Sequence, residues 1–248
     1  MRPLPYFAYV WLTVLITRIN ELLNKEHNED IPLPSPSLRV HVHPRPDART
    51  FLNVGATCAQ NIRDALTLID RELYSFDAIL DFGCGCARVL RWFHDVPEHC
   101  HLYGTDIDGK AISWCQKNIR FATFCKNEPF PPLLYPAGTF DLVFAMSVFT
   151  HLDEDYQFAW LKELQRVTKP NAVLILTTLG AFAQSKLPAE DIATLEETGF
   201  LYKVGATGRV AFHTKQYVID TWSKFFRIHT YLERGINNYQ DLVLLLKE

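Results

Sequence analysis

Gly83 and Gly85 stand two positions apart, between the apolar run Ala78-Ile-Leu-Asp-Phe and a stretch suited to helix. Glycine at such a place lets the backbone turn sharply and come close to a ligand, where a β-carbon would collide. Asp81 precedes the first glycine, and a carboxylate there repels a pyrophosphate but attracts an ammonium group. A dinucleotide loop needs a third glycine three positions after the second; Arg88 stands there, so Asp81-x-Gly83-x-Gly85-x-Ala87 argues against a nicotinamide cofactor. Asp106 ends the next apolar run, 106 − 85 = 21 residues beyond Gly85, the distance at which such folds set an acid against a ribose diol. Its carboxylate can accept both hydroxyl protons, and Ile107 offers an apolar face to a base. Asp108, followed by Gly-Lys-Ala-Ile, reads as the cap of the following helix.

These residues need a frame that brings them together. From residue 76 onward short apolar runs alternate with helical stretches, the pattern of a parallel sheet covered on both faces. The runs are Ala78–Phe82, His101–Thr105, Phe121–Phe124, Phe140–Met146 and Ala172–Thr178. Between the last two lies the clearest helix, Asp153 to Val167, with acids at its start, where they suit the helix dipole, and Lys169-Pro170 beyond its end. Residues 50–69 show another helical period. Near the C-terminus, the runs 225–232 and 242–247 are separated by a turn-like Gly235-Ile-Asn-Asn with no room for a crossover helix, so they must be antiparallel neighbours. The expected fold is α/β: a doubly wound, mostly parallel seven-stranded sheet with an antiparallel C-terminal strand, preceded by an N-terminal apolar helix.

In this order of elements the chain resembles the class I S-adenosylmethionine-dependent methyltransferases, and within them the small-molecule methyltransferase domains. The resemblance spans about residues 50 to 248 and rests on motifs in register. They are the glycine loop, Asp106, the run Phe140-Asp-Leu-Val-Phe-Ala-Met-Ser-Val-Phe-Thr-His151-Leu, the segment Glu163 to Asn171, and the antiparallel last strand. It implies S-adenosylmethionine as cofactor and S-adenosylhomocysteine as product. Asp81, Phe82, Gly83, Cys84 and Gly85 would hold the methionine part, Asp106 with Ile107 the nucleoside, Asn127 and Glu128 the adenine amino group, and Ser147 would complete the site. Ala87 and Asn171 stand where glycine is commoner; Ala87 is small, and Asn171 tolerates a left-handed turn.

Methyl transfer from a sulfonium asks the protein mainly for alignment. A hydroxyl acceptor also needs a general base, which makes His151, after the fourth run, and His213 the catalytic candidates. Similar proteins often carry at the His151 position a histidine that supports the loop instead. Residues 180–214 read as an insertion over the acceptor, with a helix at 188–197 and a short hairpin at 200–204 and 209–213. Its aromatics Phe182, Phe200, Tyr202 and Phe212, with Tyr217 and Trp222, suggest either a ring-bearing acceptor or a satellite core. The expected acceptor is a small molecule methylated at oxygen: a metabolite, a saccharide or a lipid-like compound. The rival reading is a non-catalytic cofactor-binding partner or scaffold.

The net charge of −3 and the lack of an Asn/Asp-Pro-Pro-Tyr/Phe motif after the fourth run disfavour a nucleic-acid partner. Six cysteines without a Cys-x-x-Cys pair read as reduced thiols of a cytoplasmic protein, and no metal site is expected. The N-terminal segment, residues 1–30, is set apart. Its stretch 3–17 carries no charge, is too short to span a bilayer as a helix, and is followed by no cleavage site. Residues 3–19 are therefore expected to pack on the main domain, which is the favoured reading, or to make a homodimer or peripheral membrane contact. Residues 31–37, rich in proline, read as an extended link to the body, residues 31–248.

Overall fold

The computed structural model describes residues 6–24, 31–205 and 208–248. The calls for residues 1–5 and 25–30 lie outside them. The chain opens with α1 (Tyr6–Asn24), α2 (Pro36–Val42) and α3 (Ala48–Thr67), followed by β1 (Ala78–Phe82), β2 (His101–Asp106), α4 (Gly109–Asn118), β3 (Ala122–Lys126) and β4 (Phe140–Ala145). Next come α5 (Glu154–Val167), β5 (Thr168–Thr178), α6 (Ala181–Gln184), α7 (Ala189–Thr198), β6 (Phe200–Gly205), β7 (Gly208–His213), α8 (Lys215–Trp222), β8 (Arg227–Ile236) and β9 (Gln240–Leu246). The main sheet has seven strands in the order β3-β2-β1-β4-β5-β9-β8, while β6 and β7 form a separate hairpin. β3, β2, β1, β4 and β5 run parallel; β9 pairs antiparallel with both β5 and β8. The expected fold class is the observed one.

Both faces of the sheet are buried, so its central strands are mostly apolar; β1 is buried at every position, Asp81 included. One layer packs Ile62 and Leu66 of α3 and Phe93 against Ile79, Phe144 and Ile175. The other packs Trp160, Leu161 and Leu164 of α5 and Trp222 of α8 against Leu80, Val143 and Leu174. Asp153 caps α5 by accepting the Tyr156 N–H, and Asp108 caps α4 by accepting from Lys110 and Ala111, the role read for it in the sequence. Asn171 is left-handed, at φ +62°, at the end of the exposed part of β5.

Two expectations are corrected. The proline-rich link is not extended throughout: Pro36 begins α2, because proline at the first helical position gives up only an N–H that would lack a partner anyway. Arg91 Nη2 donates to the Ile31 carbonyl at 2.6 Å and buried Arg39 donates to the carbonyls of Pro34 and Pro46. The segment is strapped onto the body. The N-terminal helix is also not buried against the domain as favoured: α1 rests on α2, but Tyr9, Trp11, Leu12, Leu15, Ile16 and Ile19 are exposed. No described helix is long and apolar enough to cross a membrane.

Candidate active site

In an open parallel sheet the loops at the carboxyl ends part where the strand order reverses, here between β1 and β4, and a ligand crevice opens there. A cavity of about 530 Å³ occupies this place. Its floor comes from the loops that follow β1, β2, β3 and β4, with Asp81, Phe82, Gly83, Cys84, Asp106, Ile107, Asn127 and Ser147 on its lining.

The glycine loop is pinned by its own backbone. The N–H groups of Gly83 and Cys84 both donate to the Thr105 carbonyl, at 2.8 and 2.9 Å, which ties the loop after β1 to the end of β2. That path needs left-handed residues: Gly83 lies at φ +80° and Gly85 at +52°. Ala87, at +56°, takes the same conformation at the cost of its β-carbon. Gly85 donates its N–H to Asp106 Oδ2 at 2.7 Å, and Asp108 N–H donates to Asp106 Oδ1 at 2.8 Å. Each carboxylate oxygen of Asp106 thus spends one lone pair on the backbone and keeps another. Gly85 itself does not line the cavity: a β-carbon on it would lie 2.3 Å from Val42 Cγ1, so α2 covers this side of the loop.

Several buried polar atoms on the lining have no partner among the described residues. Asp81 Oδ2 and Asn127 Oδ1 are acceptors without donors, and Arg88 Nε is a donor without an acceptor. Asp81 is held well above the usual carboxylate range by burial and then by the nearby Asp106 charge, with Arg88 acting the other way. Burial also raises Asp106. Leaving such groups bare is costly, so they mark a place made for a polar ligand. The set fits S-adenosylmethionine group by group. Asp81 would receive the ammonium, Arg88 the carboxylate, Asp106 the ribose diol and Asn127 Oδ1 the adenine amino group, with Ile107, more than half exposed, beneath the base.

Not every expected residue arrives. The Glu128 side chain is exposed, 3.1 Å from Lys126 Nζ, and is off the lining; only its carbonyl takes part, accepting from Asn127 Nδ2 at 2.8 Å. Ser147 is left-handed at φ +62°, held by its N–H to Thr177 Oγ1 and by its hydroxyl to the Gln240 side chain.

The two histidines separate. His151 lines the cavity, and its Nδ1 lies 2.6 Å from the Arg209 carbonyl of β7. A carbonyl only accepts, so Nδ1 carries the proton, and Nε2 of the neutral ring is left with its lone pair. His213 is fully buried and absent from the lining, which corrects its candidacy as a base: it cannot reach an acceptor. Its Nε2 lies 2.9 Å from Gln157 Oε1, while Gln157 Nε2 donates to the carbonyls of Phe149 and Leu152 on either side of His151. His213 therefore supports the turn that carries His151. Burial lowers its pKa to about 3.

The remaining lining is what sequence reading missed. Tyr156 and Trp160 come from α5, His41 and Val42 from α2, Arg209 from the hairpin, and Arg88 from the glycine loop. Arg88 had a signal, a cation directly after the small third position. Tyr156 and Trp160 had none, since helical spacing reads the same for core as for cavity wall. Of the aromatics assigned to an acceptor cover, Tyr202 alone lines the cavity. Phe212 belongs to a satellite core with Leu179, Ala183 and Leu195, Trp222 to the main core, and Phe200 stacks on Tyr217 at 5.4 Å.

Comparison with known proteins agrees with this geometry. Residues 80–176 match the family model described as a methyltransferase domain. Over residues 80–176 the chain carries a methyltransferase domain, and its fold is that of solved S-adenosylmethionine-dependent methyltransferases. Solved structures share its fold at low identity. An S-adenosylmethionine-dependent methyltransferase from Methanosarcina mazei is 21% identical at a TM-score of 0.54, over 69% of this chain and 92% of that one. One from Aquifex aeolicus is 16% identical at 0.57, over 87% and 100%. The 1,6-didemethyltoxoflavin-N1-methyltransferase of Burkholderia thailandensis, solved with 1,6-didemethyltoxoflavin and S-adenosylhomocysteine, is 14% identical at 0.58, over 88% and 93%.

Proposed function

We propose that this chain methylates an oxygen of a small acceptor that enters beside His151, with His151 taking the acceptor's proton. The observation that carries this reading is the contact between His151 Nδ1 and the Arg209 carbonyl, which leaves Nε2 as the basic atom on the cavity wall. S-adenosylmethionine supplies a methyl group on a positively charged sulfur, a leaving group that needs no protonation. The protein's part is then to hold and align. Asp81, Arg88, Asp106 and Asn127 fix the cofactor's polar groups, and Phe82, packed on Trp160 with ring centroids 4.7 Å apart, walls the space beyond. Orientation of this kind removes about 7 to 11 kcal/mol of barrier, and a positioned base adds roughly 10²- to 10⁴-fold in rate.

The aromatic wall of Phe82, Tyr156 and Trp160, closed by Tyr202 and Arg209 of the hairpin, favours a ring-bearing or otherwise apolar acceptor with a polar group near its reactive oxygen. The segment 180–214 then acts as the acceptor's cover through its hairpin alone. The test has two arms. Calorimetric titration of S-adenosylhomocysteine reads the cofactor site, and transfer of a radiolabelled methyl group to a panel of phenols, sugars and hydroxy lipids reads the acceptor. In His151→Ala, kcat at saturating cofactor should fall by about 10²-fold or more with cofactor affinity unchanged. A loss under about tenfold removes His151 as base, and binding without any product favours the non-catalytic reading.

A further inference from the structure

We infer that α1 is a docking helix for an anionic lipid surface, along which it lies without crossing. At about 100° per residue, Trp11, Leu15, Ile19, Leu12, Ile16 and Tyr9 fall in one sector of the helix. All six are exposed, from 37% for Leu15 to 65% for Trp11. The opposite sector holds Val10, Thr13, Val14 and Thr17, which are half-buried. The helix thus turns its threonine-bearing side toward the protein and its wholly apolar side outward, the reverse of what packing on a domain requires. Water is a poor neighbour for such a face.

Charge and area select the occupant. α1 carries two charges: exposed Arg18 sits at the rim of the apolar sector, while the position of Glu21 falls, at the same spacing, in the opposite sector between those of Val10 and Val14. A cation at the rim with Trp and Tyr in the face matches a headgroup layer over acyl chains. The six side chains expose on the order of 600 Å², at the top of the range for patches on monomers and below the roughly 800 Å² per partner of a stable dimer. A second copy seated on this face alone would bury less than a stable dimer needs. The helix of 19 residues is not apolar enough over its length to span. It also leads into the strap whose His41 and Val42 border the cavity, so docking would bring the site close to the surface.

The experiment uses the full chain with two kinds of vesicle, phosphatidylcholine alone and phosphatidylcholine with phosphatidylglycerol at about 7:3, read by flotation. Size is read separately by gel filtration without lipid. The wild type should run as a monomer and float with the anionic vesicles. Trp11→Ser with Leu15→Ser should weaken binding by about tenfold or more, and Arg18→Gln by about fivefold on anionic vesicles only. Both variants should keep the wild-type affinity for S-adenosylhomocysteine, which shows that they are folded and separates this inference from the reading of the active site. The inference is overturned if the wild type does not float, if the double variant floats equally well, or if the wild type forms a dimer that the double variant abolishes.

Discussion

His213 offers the sharpest test of the division of labour between the histidines. It is fully buried, its Nε2 donates to Gln157 Oε1, and its Nδ1 has no partner among the described residues. Desolvation alone lowers its pKa from 6.5 to about 3. Between those values the unfolded chain binds a proton on this residue and the native chain does not, so native stability falls as pH drops below about 6.5. At pH 5 the deficit from this one group is about 2 kcal/mol relative to pH 7.5. For a chain of this size that is roughly 4 to 8 °C in Tm. The perturbation is His213→Gln, whose amide can still donate to Gln157. The assay is urea unfolding of both proteins at pH 7.5 and 5.0, and the quantity read is the difference between their pH dependences, in which contributions from the buried aspartates cancel. His213→Gln should lose about 2 kcal/mol less than the wild type on acidification, with kcat at pH 7.5 changed by less than about tenfold. Identical pH dependences would refute the buried neutral ring, and a loss of kcat beyond about 10²-fold with the fold intact would refute the supporting role.

Asp106→Asn should weaken S-adenosylhomocysteine by about tenfold or more in calorimetry, because hydrogen bonds to a charged group are worth about 1.5 to 3 kcal/mol each. Gly85→Ala meets both a left-handed φ of +52° and Val42 Cγ1 at 2.3 Å, so it should cost about 1 to 3 kcal/mol in urea unfolding. Adding Val42→Ala should recover the steric part and leave the conformational cost near 1 kcal/mol; a double variant no more stable than the single one would show that the strap does not press on the loop. Arg209 lines the cavity on the acceptor side and makes no ion pair within 4 Å among the described residues. Arg209→Gln should therefore raise the KM of an acidic acceptor by about tenfold and leave cofactor affinity unchanged; an unaltered KM would place acidic groups elsewhere.

What could be read from the sequence follows the range of the forces involved. β1 runs from Ala78 to Phe82 as its apolar run does, because all five residues are buried and the glycine loop ends them abruptly. The hairpin of β6 and β7 and the cap at Asp108 were equally local, set by short-range turn and hydrogen-bond chemistry. β5 was less so. It begins at Thr168, before Pro170, because the register against β4 shifts between Phe140 and Leu142 and the irregularity admits a residue that cannot donate. Of the loop residues read as motifs, all but Gly85 and Glu128 line the cavity; the Glu128 side chain turns outward to Lys126 without breaking any pattern. The acceptor side was legible only in part: His151 and Tyr202 were read from the sequence, Tyr156, Trp160 and Arg209 were not. Arg209 and His151 are 58 residues apart and meet through a backbone carbonyl, an acceptor that every residue possesses and no sequence pattern marks.

That asymmetry has a structural cause. Around the crevice Gly83, Gly85, Ala87 and Ser147 all hold positive φ, and the two that are not glycine bear a cost of about 1 to 2 kcal/mol each. Such conformations persist where the surroundings over-determine them, and here the Thr105 carbonyl and the Thr177 hydroxyl fix the loops after β1 and β4 from behind. On the proposed reading, the cofactor half of the cavity stands on loops whose path is set by strand order and backbone geometry, which is why short motifs mark it. The acceptor half is built by side chains projected from α5 and from a hairpin that lies outside the main sheet. Its chemistry can change residue by residue without disturbing the cofactor loops, and substitutions at Tyr156, Tyr202 or Arg209 should redirect acceptor choice while those at Asp81 or Asp106 weaken cofactor binding.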